Sequence, residues 1–167
     1  MITNRSTARL GRRFIAIDIE NVVGGACLAR DQVEGARGTI SDFIGFRVPD
    51  QIVIGTSHIG LVEVGTGWPR VRYVVRSGPD GADRALLDVL TEDIARRFGQ
   101  VVLVSGDGVF AESIAVLAAQ GVHCTVVSHE DRLSRRLRLA AAEVHHIPYP
   151  SPIFPSGSAE FVSRMIA

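Results

Sequence analysis

Short β-branched runs separated by longer amphipathic stretches set the tightest limit on what this chain can fold into. Phe14-Ile15-Ala16-Ile17 ends in Asp18, and Ile52-Val53-Ile54 ends in Gly55-Thr56. Val71 to Val75 carries Arg72 and Tyr73 within it. Val101-Val102-Leu103-Val104 leads into Ser105-Gly106-Asp107-Gly108, and Val122 to Val127 follows Gly121. Apolar runs of this length, bounded by turn residues, fit strands buried on both faces. Their alternation with helical stretches gives βαβ units. The expected architecture is a three-layer α/β/α sandwich around a mainly parallel sheet.

Two helices are signalled by apolar spacing. One is predicted from Asp83 to Phe98, on Leu86, Leu87, Leu90 and Ile94, with Gly99 as its stop. The other runs from Phe110 to Gln120, on Phe110, Ile114 and Leu117, with Gly121 just past its end. A third is expected over Asp131 to Ala142. Val22 to Val48 is interrupted by glycines, and one helix around Gly38 to Phe46 is the expectation there. The prolines of Pro148-Tyr149-Pro150-Ser151-Pro152 continue neither element type. The predicted layout is an arm over 1–12, one domain over 13–147 and a Pro-rich tail over 148–167. Within that tail, Ala159 to Ile166 has the makings of a short docking helix.

Composition narrows the function classes. The 167 residues carry 18 basic and 18 acidic groups, and every basic residue is Arg. Neutrality excludes binding of nucleic acid or membrane by bulk charge, though not through a local patch. The absence of Lys removes any lysine Schiff base, general base or phosphate anchor. Hydrophobic content of 46% excludes a disordered chain. Cys27 and Cys124 are too few for a zinc site, and two buried thiols are expected rather than a disulfide. Without a secretory h-region or an apolar run near ~18 residues, the expectation is a soluble, cytoplasmic protein and no membrane partner.

In an open α/β sheet the working residues stand just past the carboxyl ends of strands, where strand order reverses. Asp18 and Asp107 follow the first and fourth strands, which are neighbours if the first is central. Each is also a natural turn or N-cap residue. Counting ~100° per residue places Asp83 on the stripe of Leu87, Leu90 and Ile94, aimed at the same rim. Asp88, roughly 140° away, should face solvent. Asp80 is expected in the preceding turn, and Glu112 as a first-turn acid with no site role. Glu20 and Asn21 stand beside Asp18. Several carboxylates in one place repel unless a cation neutralises them. Oxygen ligands without His or Cys point to Mg²⁺ or Mn²⁺ and to phosphodiester hydrolysis.

Ile17-Asp18-Ile19-Glu20-Asn21, Gly81-Ala82-Asp83-Arg84-Ala85-Leu86-Leu87 and Val104-Ser105-Gly106-Asp107-Gly108-Val109-Phe110 resemble the motifs of the NYN branch of the PIN-like ribonuclease superfamily. The likeness covers roughly residues 13–147. It implies a PIN-like (Rossmann-like) sheet and a metal-dependent endoribonuclease with acids at its C-terminal rim. Carried over by position, Asp18, Asp83 and Asp107 would be the catalytic metal ligands, with Asn21 beside them. Glu20 and Ser105 are further candidates. One position departs from the pattern. The family commonly has an Asp two residues after the one matching Asp107, where this chain has Val109.

Substrate contact would fall to Arg. Arg132, Arg135 and Arg136 share one side of the third predicted helix, and Arg12-Arg13 precede the first strand. Such a surface suits the backbone of single-stranded RNA; a solvated face balanced by Glu130 and Asp131 accounts for it equally well. Aromatic content of 6% gives no sign of base stacking. Two rivals stand beside the nuclease. One is an inactive RNA-binding or assembly module on the same fold, suggested by Val109. The other is a haloacid-dehalogenase-like phosphatase, which would want Asp at Glu20 and a Lys. A homodimer or a larger protein partner is compatible with the sequence.

Overall fold

A computed structural model of the chain describes residues 11–150. The order of elements begins at β1 (Arg13–Asp18), and strands and helices alternate almost strictly. After it come α1 (Ile19–Val23), α2 (Arg30–Ile44), β2 (Gln51–Thr56), α3 (Leu61–Gly67) and β3 (Arg72–Val75). The second half holds α4 (Gly81–Leu90), α5 (Ile94–Arg97), β4 (Gln100–Val104), α6 (Ala111–Ala119), β5 (His123–Ser128), α7 (Arg135–Ala140) and β6 (Glu143–His146).

The strands form one sheet in the order β3-β2-β1-β4-β5-β6, with every neighbouring pair parallel. This is the doubly wound order. The chain steps outward from β1 to β3, returns to the centre and steps outward again, so the reversal lies between β1 and β4. Period-two alternation within β1 shows how both faces are filled. Phe14 and Ala16 pack with α4, α5, α6 and α7, among Leu86, Ile94, Ile114 and Leu137. Ile15 and Ile17 pack on the other side with α1, α2 and α3, among Val22, Val33, Ile40 and Val64. The result is the expected α/β/α sandwich, Rossmann-like in its layering.

Several boundaries differ from expectation. The helix predicted over Asp83 to Phe98 is two helices, because the chain turns at Thr91 to Asp93 and Asp93 adopts a left-handed φ of 54°. Leu90 and Ile94 are both buried, so an i, i+4 pair hides the break. The helix predicted over Asp131 to Ala142 is a 3₁₀ turn, Glu130–Arg132, followed by α7. Between Val22 and Val48 the main helix is α2, which starts earlier than Gly38; Gln32 Oε1 accepts from Leu28 N and Ala29 N to cap it. Neither α3 nor the exposed edge strand β6 was anticipated. Both cysteines are buried and free, as expected. Among the described residues no helix is long and apolar enough to cross a membrane. The segment Ala159 to Ile166 lies outside the described residues.

Candidate active site

The sheet reversal brings the ends of β1 and β4 together, and side chains lace them. Asp18 leaves β1 extended and caps α1, its Oδ1 accepting from Asn21 N at 3.2 Å. Its Oδ2 accepts from Ser105 Oγ at 3.0 Å, just past β4. Ser105 Oγ also accepts from Asp107 N at 3.2 Å, and Asn21 Oδ1 accepts from Gly106 N at 3.0 Å. A Cβ at Gly106 would collide with the Arg132 carbonyl, so only glycine lets the 3₁₀ turn sit this close. Asp107 caps its own turn, with Oδ1 accepting from Val109 N at 2.9 Å. The capping role and the rim position therefore coexist in both acids.

The third acid arrives on α4. That helix buries Ala82, Ala85, Leu86, Val89 and Leu90, while Asp83 and Leu87 are half-buried on its flank. The expected stripe was therefore rotated, and Asp83 reaches the rim as a first-turn residue at the edge of the packed face. Asp88 is exposed and paired with Arg76, and Glu112 is an exposed first-turn acid, both as expected. Asp80 precedes the helix with a left-handed φ of 55° and makes no side-chain cap, so it occupies the expected turn without capping the helix.

Asp18, Asp83 and Asp107 line one cleft of about 200 Å³. Glu20, Asn21 and Asp80 share its walls, and Ser57 and Gly78 close the β2–β3 side. Asp80 is the acid that sequence reasoning set aside. Glu20 Oε1 is occupied, accepting from Ser57 N at 2.8 Å and Ser57 Oγ at 2.5 Å, which ties α1 to the end of β2. No cationic side chain lines this cleft.

The electrostatics follow from that crowding. Asp18 is only 3% exposed, and burial pushes its carboxyl up to about 7. The Asp83 charge adds to the rise, while the Asn21 and Ser105 hydrogen bonds oppose it. Burial also raises Asp83, with Asp107, Asp80 and Glu20 adding to it and the contact with Asp18 opposing. The two carboxyls act on one another, and their protons are held by the pair above the ordinary carboxylate range.

A cation would relieve the same repulsion. Among the described residues no three His, Cys, Asp or Glu side chains are grouped so as to hold a metal ion. What stands there is a two-carboxylate contact with further oxygen donors on the walls. Mg²⁺ retains several waters and is commonly held by one or two carboxylates, so the donor chemistry fits without a closed protein cage.

The predicted arginines divide. Arg13 and Arg12 are at the opposite end of β1, where Arg13 pairs with Asp50 and Arg12 lies over the Phe98 ring; they are not part of this rim. Arg132 is beside it but engaged, donating from Nη1 to the Asn21 carbonyl at 2.9 Å and from Nε to Tyr149 Oη at 3.1 Å. Arg135 and Arg136 are exposed at the start of α7, close to the Asp107 turn through the Ser134 N to Gly106 carbonyl bond of 2.8 Å.

Sequence reasoning missed the brace behind the rim. Buried His129 has its ring nitrogens 2.9 Å and 3.0 Å from the Val22 and Ile147 carbonyls. Tyr149 stacks on it at 3.8 Å and donates to Asp131. A lone aromatic between Pro148 and Pro150 was the available signal, since a residue so placed has little use other than packing.

No family model matches the sequence, and no curated protein matches it. Among solved structures, the chain is similar to a protein of unknown function from Vibrio parahaemolyticus, at 17% identity and a TM-score of 0.54. The match covers 89% of this chain and 97% of that one. It shows the fold alone: a doubly wound α/β sandwich.

Proposed function

We propose that this chain is a metal-dependent endoribonuclease that hydrolyses phosphodiester bonds of single-stranded RNA and works in the cytoplasm. The carrying observation is the convergence of Asp18, Asp83 and Asp107, from three separate elements, on one cleft at the sheet reversal that no cationic side chain lines. The motif resemblance to NYN nucleases supports the same reading. On it, Asp18, Asp83 and Asp107 would hold Mg²⁺ or Mn²⁺, which supplies an activated water and stabilises the leaving oxygen. The chain's own residues do the positioning. Ser105 fixes the Asp18 carboxylate, and Asn21 fixes the Gly106-Asp107 turn. Arg135 and Arg136, exposed at the start of α7, would serve as contacts for the RNA backbone.

Asp18→Asn and Asp107→Asn should each lower cleavage of a single-stranded oligoribonucleotide about a hundredfold or more, because neutralising a ligand costs at least what its supporting shell does. Gel analysis of products in Mg²⁺ and in Mn²⁺ checks this; undiminished cutting by either variant sinks the reading. One observation favours a second reading, an RNA-binding module without activity. Val109, 43% exposed, stands at the position where the family that the motifs resemble commonly carries a further Asp. RNA bound equally with and without metal, and cut with neither, would establish that module.

A further inference from the structure

The acid cleft has two sides, and the one away from Arg135 and Arg136 carries a feature that the proposed reaction does not yet use. Past β2 the chain runs Ser57-His58, and past β3 it runs Ser77-Gly78. Ser57 and Gly78 line the cleft. Their neighbours, His58 and Ser77, meet across the two loops with Ser77 Oγ 2.6 Å from His58 Nδ1. Both are exposed, and among the described residues His58 Nε2 has no hydrogen-bond partner.

We propose that His58, oriented by Ser77, is a substrate-binding residue that donates from Nε2 to a phosphate oxygen of the RNA on the β2–β3 side of the cleft. This rests on the nuclease reading for the identity of the ligand. The neutral imidazole has one N–H, and which nitrogen carries it depends on what the other meets. A serine hydroxyl both donates and accepts. When an anionic oxygen approaches Nε2, the proton belongs there, and the Ser77 hydroxyl turns to donate to Nδ1. The pair thus presents a donor to an anion without moving the backbone.

The surroundings say why such a donor is needed. A phosphodiester entering this cleft meets five carboxylates, those of Asp18, Glu20, Asp80, Asp83 and Asp107, and the cleft lining offers no positive side chain. Arg76, near the same loops, is paired with Asp88. On the Asp107 side, Arg135 and Arg136 are available. A strand held only there would pivot about one flank; a second contact at His58 makes it cross the acids. Proper alignment of the scissile bond depends on holding the backbone on both sides.

Purified wild type, His58→Ala, His58→Gln, His58→Asn and Ser77→Ala would be compared for equilibrium binding of a labelled single-stranded oligoribonucleotide, with Ca²⁺ replacing Mg²⁺. Cleavage in Mg²⁺ and Mn²⁺ would be measured separately. Loss of a hydrogen bond to a charged oxygen should weaken binding by His58→Ala roughly tenfold. The Gln amide nitrogen reaches the Nε2 position and should restore most of it, whereas the Asn amide mimics Nδ1 and should not. Ser77→Ala should cost about twofold to threefold, since it only fixes the tautomer. Unchanged thermal unfolding is expected because both side chains are exposed. Wild-type binding by His58→Ala, rescue by Asn equal to that by Gln, or failure of the wild type to bind RNA would each overturn the proposal. A wild type that binds but never cuts overturns the nuclease reading alone, and binding still decides the role of His58.

Discussion

The two ends of β1 handle a buried carboxylate in opposite ways. At its start, Arg13 donates to both oxygens of Asp50, at 3.1 Å and 2.5 Å, and also to the carbonyls of Ile44 and Gly45. Burial by itself would raise Asp50, but the Arg13 hydrogen bonds, the Arg47 backbone N–H and both guanidinium charges outweigh it and hold the carboxyl below its ordinary value. At the other end of the strand, Asp18 meets Asp83 and rises to about 7. The same residue type is a stabilising clamp against the start of β1 and a carboxyl without a cationic partner at its end. A fold this small keeps such a liability where ligand or proton can answer it, which is why a carboxyl raised beside a cleft points toward function.

The largest test of this contrast is at the clamp. Arg13→Ala should destabilise the protein by about 3–5 kcal/mol, because it leaves Asp50 buried with its main partner gone. Chemical denaturation measures it, and a change under ~1 kcal/mol would mean the clamp is no more than a surface pair.

Next comes pH. Asp18 is raised in the folded state, so between its ordinary 3.8 and about 7 the native protein holds a proton that the unfolded chain releases. Stability of the metal-free protein should therefore be highest below this window and fall as pH rises through it, by an amount on the order of a few kcal/mol. Asp18→Asn should flatten that slope. Mg²⁺ or Mn²⁺ should raise the melting temperature more at pH 8 than at pH 5. A profile that rises with pH across the window would show that Asp18 is not burdened in this way.

Smaller effects sharpen the acidic rim itself. Ser105→Ala removes the donor to Asp18 and the acceptor for Asp107 N. About 1–2 kcal/mol of stability should be lost, and cleavage should fall roughly tenfold. Val109→Asp adds a carboxylate at an exposed position beside Asp107 and should tighten Mn²⁺ binding several-fold, read by titration calorimetry. Unchanged metal affinity would place residue 109 outside the ligand sphere.

What the sequence disclosed follows how each element is buried. β1, β2, β4 and β5 are enclosed over most of their length, so they read as continuous apolar runs. β6 was invisible because Glu143, His145 and His146 are exposed at the sheet edge and nothing forces apolar residues there. The break after α4 was hidden by apolar spacing that continues through it. At the site, Asp18 and Asp107 were legible because strand ends are. Asp83 was found for a partly wrong reason, since its helix is rotated from the expected stripe. Asp80, the His129–Tyr149 brace and the His58–Ser77 pair were not legible, because turns and long-range contacts leave no periodic trace.

The lacing of the rim has a consequence for how the domain assembles. Asp18 and Ser105 are 87 residues apart in the chain, Asn21 and Gly106 are 85 apart, Val22 and His129 are 107 apart, and Asn21 and Arg132 are 111 apart. Each contact closes a loop that spans half the polypeptide or more, and such closures carry an entropy cost that local structure does not offset. During synthesis Asp18 emerges long before the hydroxyl that orients it and the turn that carries Asp107. The rim is therefore laced only once the second half of the chain has supplied its strands and its share of the core.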